Sequence, residues 1–151
     1  MLDDTDPLVE LRFPARPDRL KLLRSLVRDA ATASGLSGVD ADNVVLAVNE
    51  ACMNIIQHGY RNDPDGEIRL TVHTDGQALV FRLRDDAPAV DTSRVRPRDL
   101  DDLRPGGLGT HFIDSIMDEA TFVDCGGKGN LFEMVKFIHD EDGGHVVPGG
   151  R

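Results

Sequence analysis

The chain has 151 residues, with 17 Lys and Arg against 27 Asp and Glu, for a formal net charge of −10. That length suits one domain with a real core, and the acidic balance argues against nucleic acid or an anionic membrane as partner, since both favour a basic face. No apolar run reaches the ~20 residues of a membrane span. The start Met1-Leu2-Asp3-Asp4 lacks a signal-peptide pattern, and Cys52 and Cys125 are too few for a disulfide scaffold and show no metal spacing. A cytoplasmic protein is expected.

Residues 8–13 alternate as a strand, ended by Pro14 and Pro17. Leu20, Leu23, Val27 and Ala31 repeat at helical spacing from Asp18 to Ser34, with Gly35 as the residue just past the helix end. A second helix is expected from Asp40, as N-cap, to near Gly59, with Val44, Val45, Val48, Cys52, Ile55 and Ile56 as its apolar stripe. Residues 62–66 are a dense turn signal. Residues 68–72 and 79–83 read as a hairpin around Asp75-Gly76.

A long polar stretch follows, from Asp85 to Gly107. Loops of that length in compact domains are usually functional or disordered. Residues 108–117 read as a helix opened by glycines. Residues 120–123 and 131–137 form a last hairpin across Gly126-Gly127-Lys128-Gly129. Expected are one α+β domain over residues 1–138 and a flexible tail over 139–151. The domain would be a two-layer sandwich, with a roughly five-stranded mixed or antiparallel sheet and helices on one face.

Three groups of residues carry chemistry. Glu50, Asn54 and His58 stand four apart on the second helix and so share one face. A carboxylate there can act as a general base, and an Asn carbonyl is a hard oxygen suited to Mg²⁺. Asp85 ends a strand and can accept from the exocyclic amine of adenine, with Ala87 and Ala89 leaving room for a flat ring. Gly106-Gly107-Leu108-Gly109-Thr110 opens a helix, where free N–H groups suit phosphates. Each group alone has a plain reading as well: a polar helix face, a strand-ending turn, a hinge. Their order makes them more telling, because together they supply metal ligand, base reader, lid and phosphate cradle without a Walker motif.

In these motifs the chain resembles the GHKL (Bergerat-fold) ATPase superfamily. Within it, the resemblance is to the RsbW-type anti-sigma factor serine/threonine kinases. Glu50-Ala-Cys-Met-Asn54-Ile-Ile-Gln-His58-Gly-Tyr60 is similar to the family's N box. Asp85-Asp-Ala-Pro-Ala89 stands at the first glycine box, and Gly107-Leu-Gly109 with Ser115-Ile-Met-Asp118 at the second.

The resemblance implies roles. Glu50 would be the general base toward a protein hydroxyl and Asn54 would hold Mg²⁺. Asp85 and Ala89 would face the nucleotide, Asp85 accepting from the adenine amine. Gly107, Leu108, Gly109 and Thr110 would contact phosphates of ATP, and residues 90–106 would form the lid. It also implies a Ser or Thr of an anti-anti-sigma STAS-domain protein as substrate, a sigma factor as second partner, and a homodimer. Ala87 and Ala89 replace the glycines of the first box, from which weakened nucleotide binding or a shifted loop is expected. The alternative is a non-catalytic partner-switching module. Residues 1–39 hold no His, so a sensor kinase's phospho-accepting helix is not expected ahead of the N box.

Overall fold

The computed structural model describes residues 6–89, 108–140 and 145–146, with side chains of 108–110, 140 and 145–146 left undescribed. The expected lid and Gly107 lie outside them, as does most of the expected tail.

Strand β1 (Val9–Pro14) is followed by a short 3₁₀ turn (Pro17–Arg19) and helix α1 (Leu20–Ala33). Helix α2 (Gly38–Asn54) runs into a π-helical turn (Ile55–Gly59). Then come β2 (Glu67–Thr74), β3 (Ala78–Asp85), α3 (Leu108–Ile116), β4 (Glu119–Val123) and β5 (Asn130–Phe137). A two-residue pair, β6 (His139–Asp140) with β7 (His145–Val146), follows.

Strands β1 to β5 form one sheet in the order β1-β2-β3-β5-β4, antiparallel throughout. Of the two expectations, mixed or antiparallel, the hairpins select the second. The register sorts side chains into rows, because neighbours in a ladder share a face. Leu11, Leu70, Leu83 and Phe132 make one row toward the core. Arg12, Arg69, Arg84 and Leu131 make the adjacent row on the opposite face. There Arg82 also pairs with Glu133 at 2.7 Å.

The helices cover the apolar face. Helix α1 buries Leu20, Leu23, Val27, Ala30 and Ala31, the spacing expected of an amphipathic helix. It closes at Gly35, which has φ +106°, while Leu36 N–H returns to the Ala31 carbonyl at 3.1 Å. Helix α2 packs between α1 and α3 and buries Val44, Val45, Val48 and Cys52. Burial pushes the Cys52 thiol far above its ordinary range, so it behaves as a small core hydrophobe rather than a nucleophile.

Two expectations on α2 are corrected. Its N-cap is Ser37, not Asp40: the Ser37 hydroxyl accepts from Asp40 N–H at 3.1 Å, which puts Asp40 in the first turn. An acid there still favours the positive helix end. The helix also does not stay α-helical to Gly59. In the π turn, Tyr60 N–H bonds to the Ile55 carbonyl five residues back at 2.8 Å. His58 therefore stands on a π turn and not on the α-helix that carries Glu50 and Asn54. Among the described residues no helix is long and apolar enough to cross a membrane.

Candidate functional site

The site grows from the end of the sheet nearest the C-terminus of α2. The row Phe13, Ile68, Asp85, Asn130 crosses β1, β2, β3 and β5 on the core face. Two apolar residues are thus followed by a carboxylate and a carboxamide, at 4 % and 7 % exposure. Burying such groups is costly unless they are hydrogen-bonded, and here they are. Asn130 Nδ2 donates to Asp85 Oδ1 at 2.9 Å, and Ala87 N–H donates to the same oxygen at 3.0 Å. Asn130 Nδ2 also reaches the Pro88 carbonyl at 3.1 Å. The carboxylate is therefore fixed in place rather than merely present.

Gly129 makes this approach possible. It has φ +69°, and a Cβ there would fall on the Asp85 carbonyl oxygen. Only glycine lets β5 begin so close to the end of β3.

The alanines of the first box are accommodated without strain. Neither Ala87 nor Ala89 has positive φ; among the described residues only Arg61 and Asn62 do so without being glycine. Ala87 is 3 % exposed. A Cβ placed on Gly59 would lie 3.4 Å from its methyl. The methyl thus packs against the bare backbone of the π turn. Ala89, in contrast, is exposed.

Glu50 and Asn54 stand one turn apart on α2, both half-buried. The rotation of α2 is fixed beside them: Arg24 on α1 donates from Nη1 to Asn49 Oδ1 at 3.0 Å. The π turn that follows abuts Ala87 through Gly59, so the helix with Glu50 and Asn54 and the loop with Asp85 are direct neighbours. His58 is half-buried on that turn. Leu108, Gly109 and Thr110 form the first turn of α3, which packs on α2; Gly107 lies outside the described residues.

Sequence reasoning singled out Glu50, Asn54 and Asp85 as candidates; it gave no role to Asn130 or Gly129, and quoted Tyr60 only as the end of the N-box match. Asn130 opens an ordinary strand, and only the β3–β5 register aligns it with Asp85. The glycine run at 126–129 offered a signal, but it reads equally as a turn.

A five-stranded antiparallel sheet with α2 between two helices, and a buried acid ending β3 beside it, has the architecture of the histidine kinase-like ATPase domain. Residues 13–136 match that family, and the chain belongs to it. Among individual proteins, the chain is 26 % identical over 142 residues to the serine-protein kinase RsbW of Bacillus subtilis, covering 88 % of this chain and 87 % of the relative. It is 29 % identical over 143 residues to RsbW of Bacillus licheniformis, with the same coverages. Its fold is similar to that of a Mycobacterium tuberculosis structure with RsbU and RsbW domains. That match has TM-score 0.60 and 16 % identity, over 88 % of this chain and 32 % of the longer one. It is also similar to the blue-light activated histidine kinase of Erythrobacter litoralis, with TM-score 0.55 and 18 % identity over 82 % and 41 % of the two chains.

Proposed function

We propose that the chain is an ATP- and Mg²⁺-dependent protein serine/threonine kinase acting on an anti-anti-sigma protein of the STAS class. In the same reading it is an anti-sigma factor, holding a sigma factor when the STAS partner is phosphorylated, and it acts as a homodimer. The observation that carries the reading is the fixed, buried Asp85, held by Asn130 and Ala87 next to the helix that bears Glu50 and Asn54. The serine-kinase relatives support it over most of their length.

The residues fit the implied ligands. Among the described residues no three His, Cys, Asp or Glu side chains gather to hold a metal. That suits Mg²⁺, which keeps several waters and takes one or two protein oxygens together with substrate phosphates. Asn54 supplies such an oxygen, and the ion would neutralise phosphate charge there. Asp85, held at Oδ1 by Asn130 and the Ala87 N–H, would accept from the exocyclic amine of adenine. Ala89, past Pro88, would flank the nucleotide. Gly107, Leu108, Gly109 and Thr110 would meet the phosphates at the start of α3, where helix N–H groups are unpaired.

Glu50, one turn before Asn54, would orient the attacking hydroxyl and take its proton as the oxygen bonds to the γ-phosphorus and the bond to the β-phosphate oxygen breaks. ADP leaves with that electron pair. Transfer of this kind relies on positioning and charge neutralisation, and the helix and loop that position the groups are in contact.

The experiment that separates the kinase from the partner-switching module is calorimetric titration with ATP and Mg²⁺. The kinase reading predicts saturable one-site binding below millimolar, with the Ala87 methyl accommodated against Gly59. If the protein binds no ATP at millimolar concentration, the non-catalytic module is the better account.

A further inference from the structure

Three elements converge on one hydroxyl. Tyr60 leaves the π turn of α2, and its Oη donates to the Glu67 carbonyl at 2.6 Å, at the start of β2. The same oxygen accepts from Asp86 N–H at 2.7 Å, just past the end of β3. The Tyr60 ring lies flat over Gly66, where an added Cβ would stand 2.6 Å from two ring atoms. The chain reaches this position through left-handed residues, Arg61 at φ 54° and Asn62 at φ 65°. Asn62 N–H also reaches back to the Ile56 carbonyl at 2.8 Å.

Asp86 is held from its other side as well. Arg69 Nη2 donates to Asp86 Oδ1 at 3.1 Å on the open face of the sheet. The peptide between Asp85 and Asp86 is thus pinned by Tyr60, and the Asp86 side chain by Arg69. The Asp85 carboxylate, on the opposite face, is directed by that same peptide.

We infer that Tyr60, aided by Arg69, is a positioning residue that sets the angle at which Asp85 reads the base, and so contributes to selection of nucleotides carrying an exocyclic amine. The inference rests on the nucleotide reading of Asp85. A core tyrosine that only filled space would use its ring. Here the hydroxyl holds one donor and one acceptor of separate elements, which phenylalanine would leave unmade. Burial pushes the Tyr60 hydroxyl above its ordinary range, so it stays protonated and able to donate across the working pH range.

The test compares the unaltered chain with Tyr60→Phe in calorimetric titrations with Mg²⁺ and either ATP or purine riboside triphosphate, which lacks the exocyclic amine. The unaltered chain is expected to favour ATP. Tyr60→Phe should lower ATP affinity about tenfold, the worth of about one hydrogen bond, and purine riboside triphosphate affinity less than about twofold. The ratio between the two therefore narrows, and in transfer assays KM for ATP rises while kcat stays within about twofold. An equal loss for both ligands, or no loss, with discrimination intact in the unaltered chain, would overturn the positioning role and leave the nucleotide reading standing. If the unaltered chain binds neither ligand, both readings fall. Should Tyr60→Phe unfold at the assay temperature, Arg69→Gln decides: a narrowed ratio supports the role and an unchanged ratio overturns it.

Discussion

Glu50→Ala is expected to lower phosphate transfer at least about 10²-fold, the low end of what a positioned general base contributes. ATP affinity should stay within about twofold, because in the proposed reaction Glu50 acts on the protein hydroxyl and not on the nucleotide. The substitution is mild for the fold. Glu50 is half-buried on α2, one turn from the end of its α-helical part, and alanine is the better helix former. Melting temperature should therefore hold while activity falls. Glu50→Gln, which keeps the shape and removes the basicity, should behave like alanine. Transfer at the unaltered rate in either variant would remove Glu50 from the mechanism.

The second large effect is on stability. Gly129→Ala forces a side chain into a left-handed backbone position, which costs about 1–2 kcal/mol. Its Cβ also falls on the Asp85 carbonyl oxygen and stands 3.3 Å from Asp86 Cα. Both are backbone atoms of a paired strand end and cannot swing aside. Overpacking of that kind adds about 1–3 kcal/mol. The sum, about 2–5 kcal/mol, is a large share of the total stability of a domain. It corresponds to a fall in melting temperature of about 2–4 °C per kcal/mol at this chain length.

Gly127→Ala is the control. Gly127 also has positive φ, +83°, but nothing lies within 4 Å of its added Cβ. It should lose only the backbone part, about 1–2 kcal/mol. Thermal unfolding of the two variants by circular dichroism separates the clash from the φ cost. Equal losses would mean that β3 and β5 do not need this close approach. Gly129→Ala should also weaken ATP binding, since the displaced peptide carries Asp85.

The architecture was legible because its signals are local. Period-two alternation marked the strands, Leu20-Leu23-Val27-Ala31 marked α1, and Asp75-Gly76 marked the turn between β2 and β3. The candidate side chains were picked out by type and order, and the structure places Glu50 and Asn54 on one helix and Asp85 at a strand end. What was not legible depends on register or on backbone detail. Asn130 meets Asp85 only because β5 pairs with β3 at one particular offset. The π turn gave no warning, since Ile55 and Ile56 continue the apolar stripe of α2, and it places His58 beyond the α-helix proper. Ser37 lost the cap to Asp40 in the reading because both residue types cap helices. Set against the first glycine box of the resembling family, Ala87 and Ala89 led to the expectation of weakened nucleotide binding or a shifted loop. The structure turns the Ala87 methyl against Gly59, a contact between residues 28 positions apart that no local pattern encodes.

The central claim is that ATP, Glu50 and a protein hydroxyl meet in one site. The most direct test is to incubate the unaltered chain with γ-labelled ATP, Mg²⁺ and a STAS-domain anti-anti-sigma protein from the same organism, then to locate the label by mass spectrometry. The account predicts one phosphate on a single Ser or Thr of the STAS protein, absent when Glu50→Ala replaces the unaltered chain. An unlabelled STAS protein in the presence of bound ATP would contradict it.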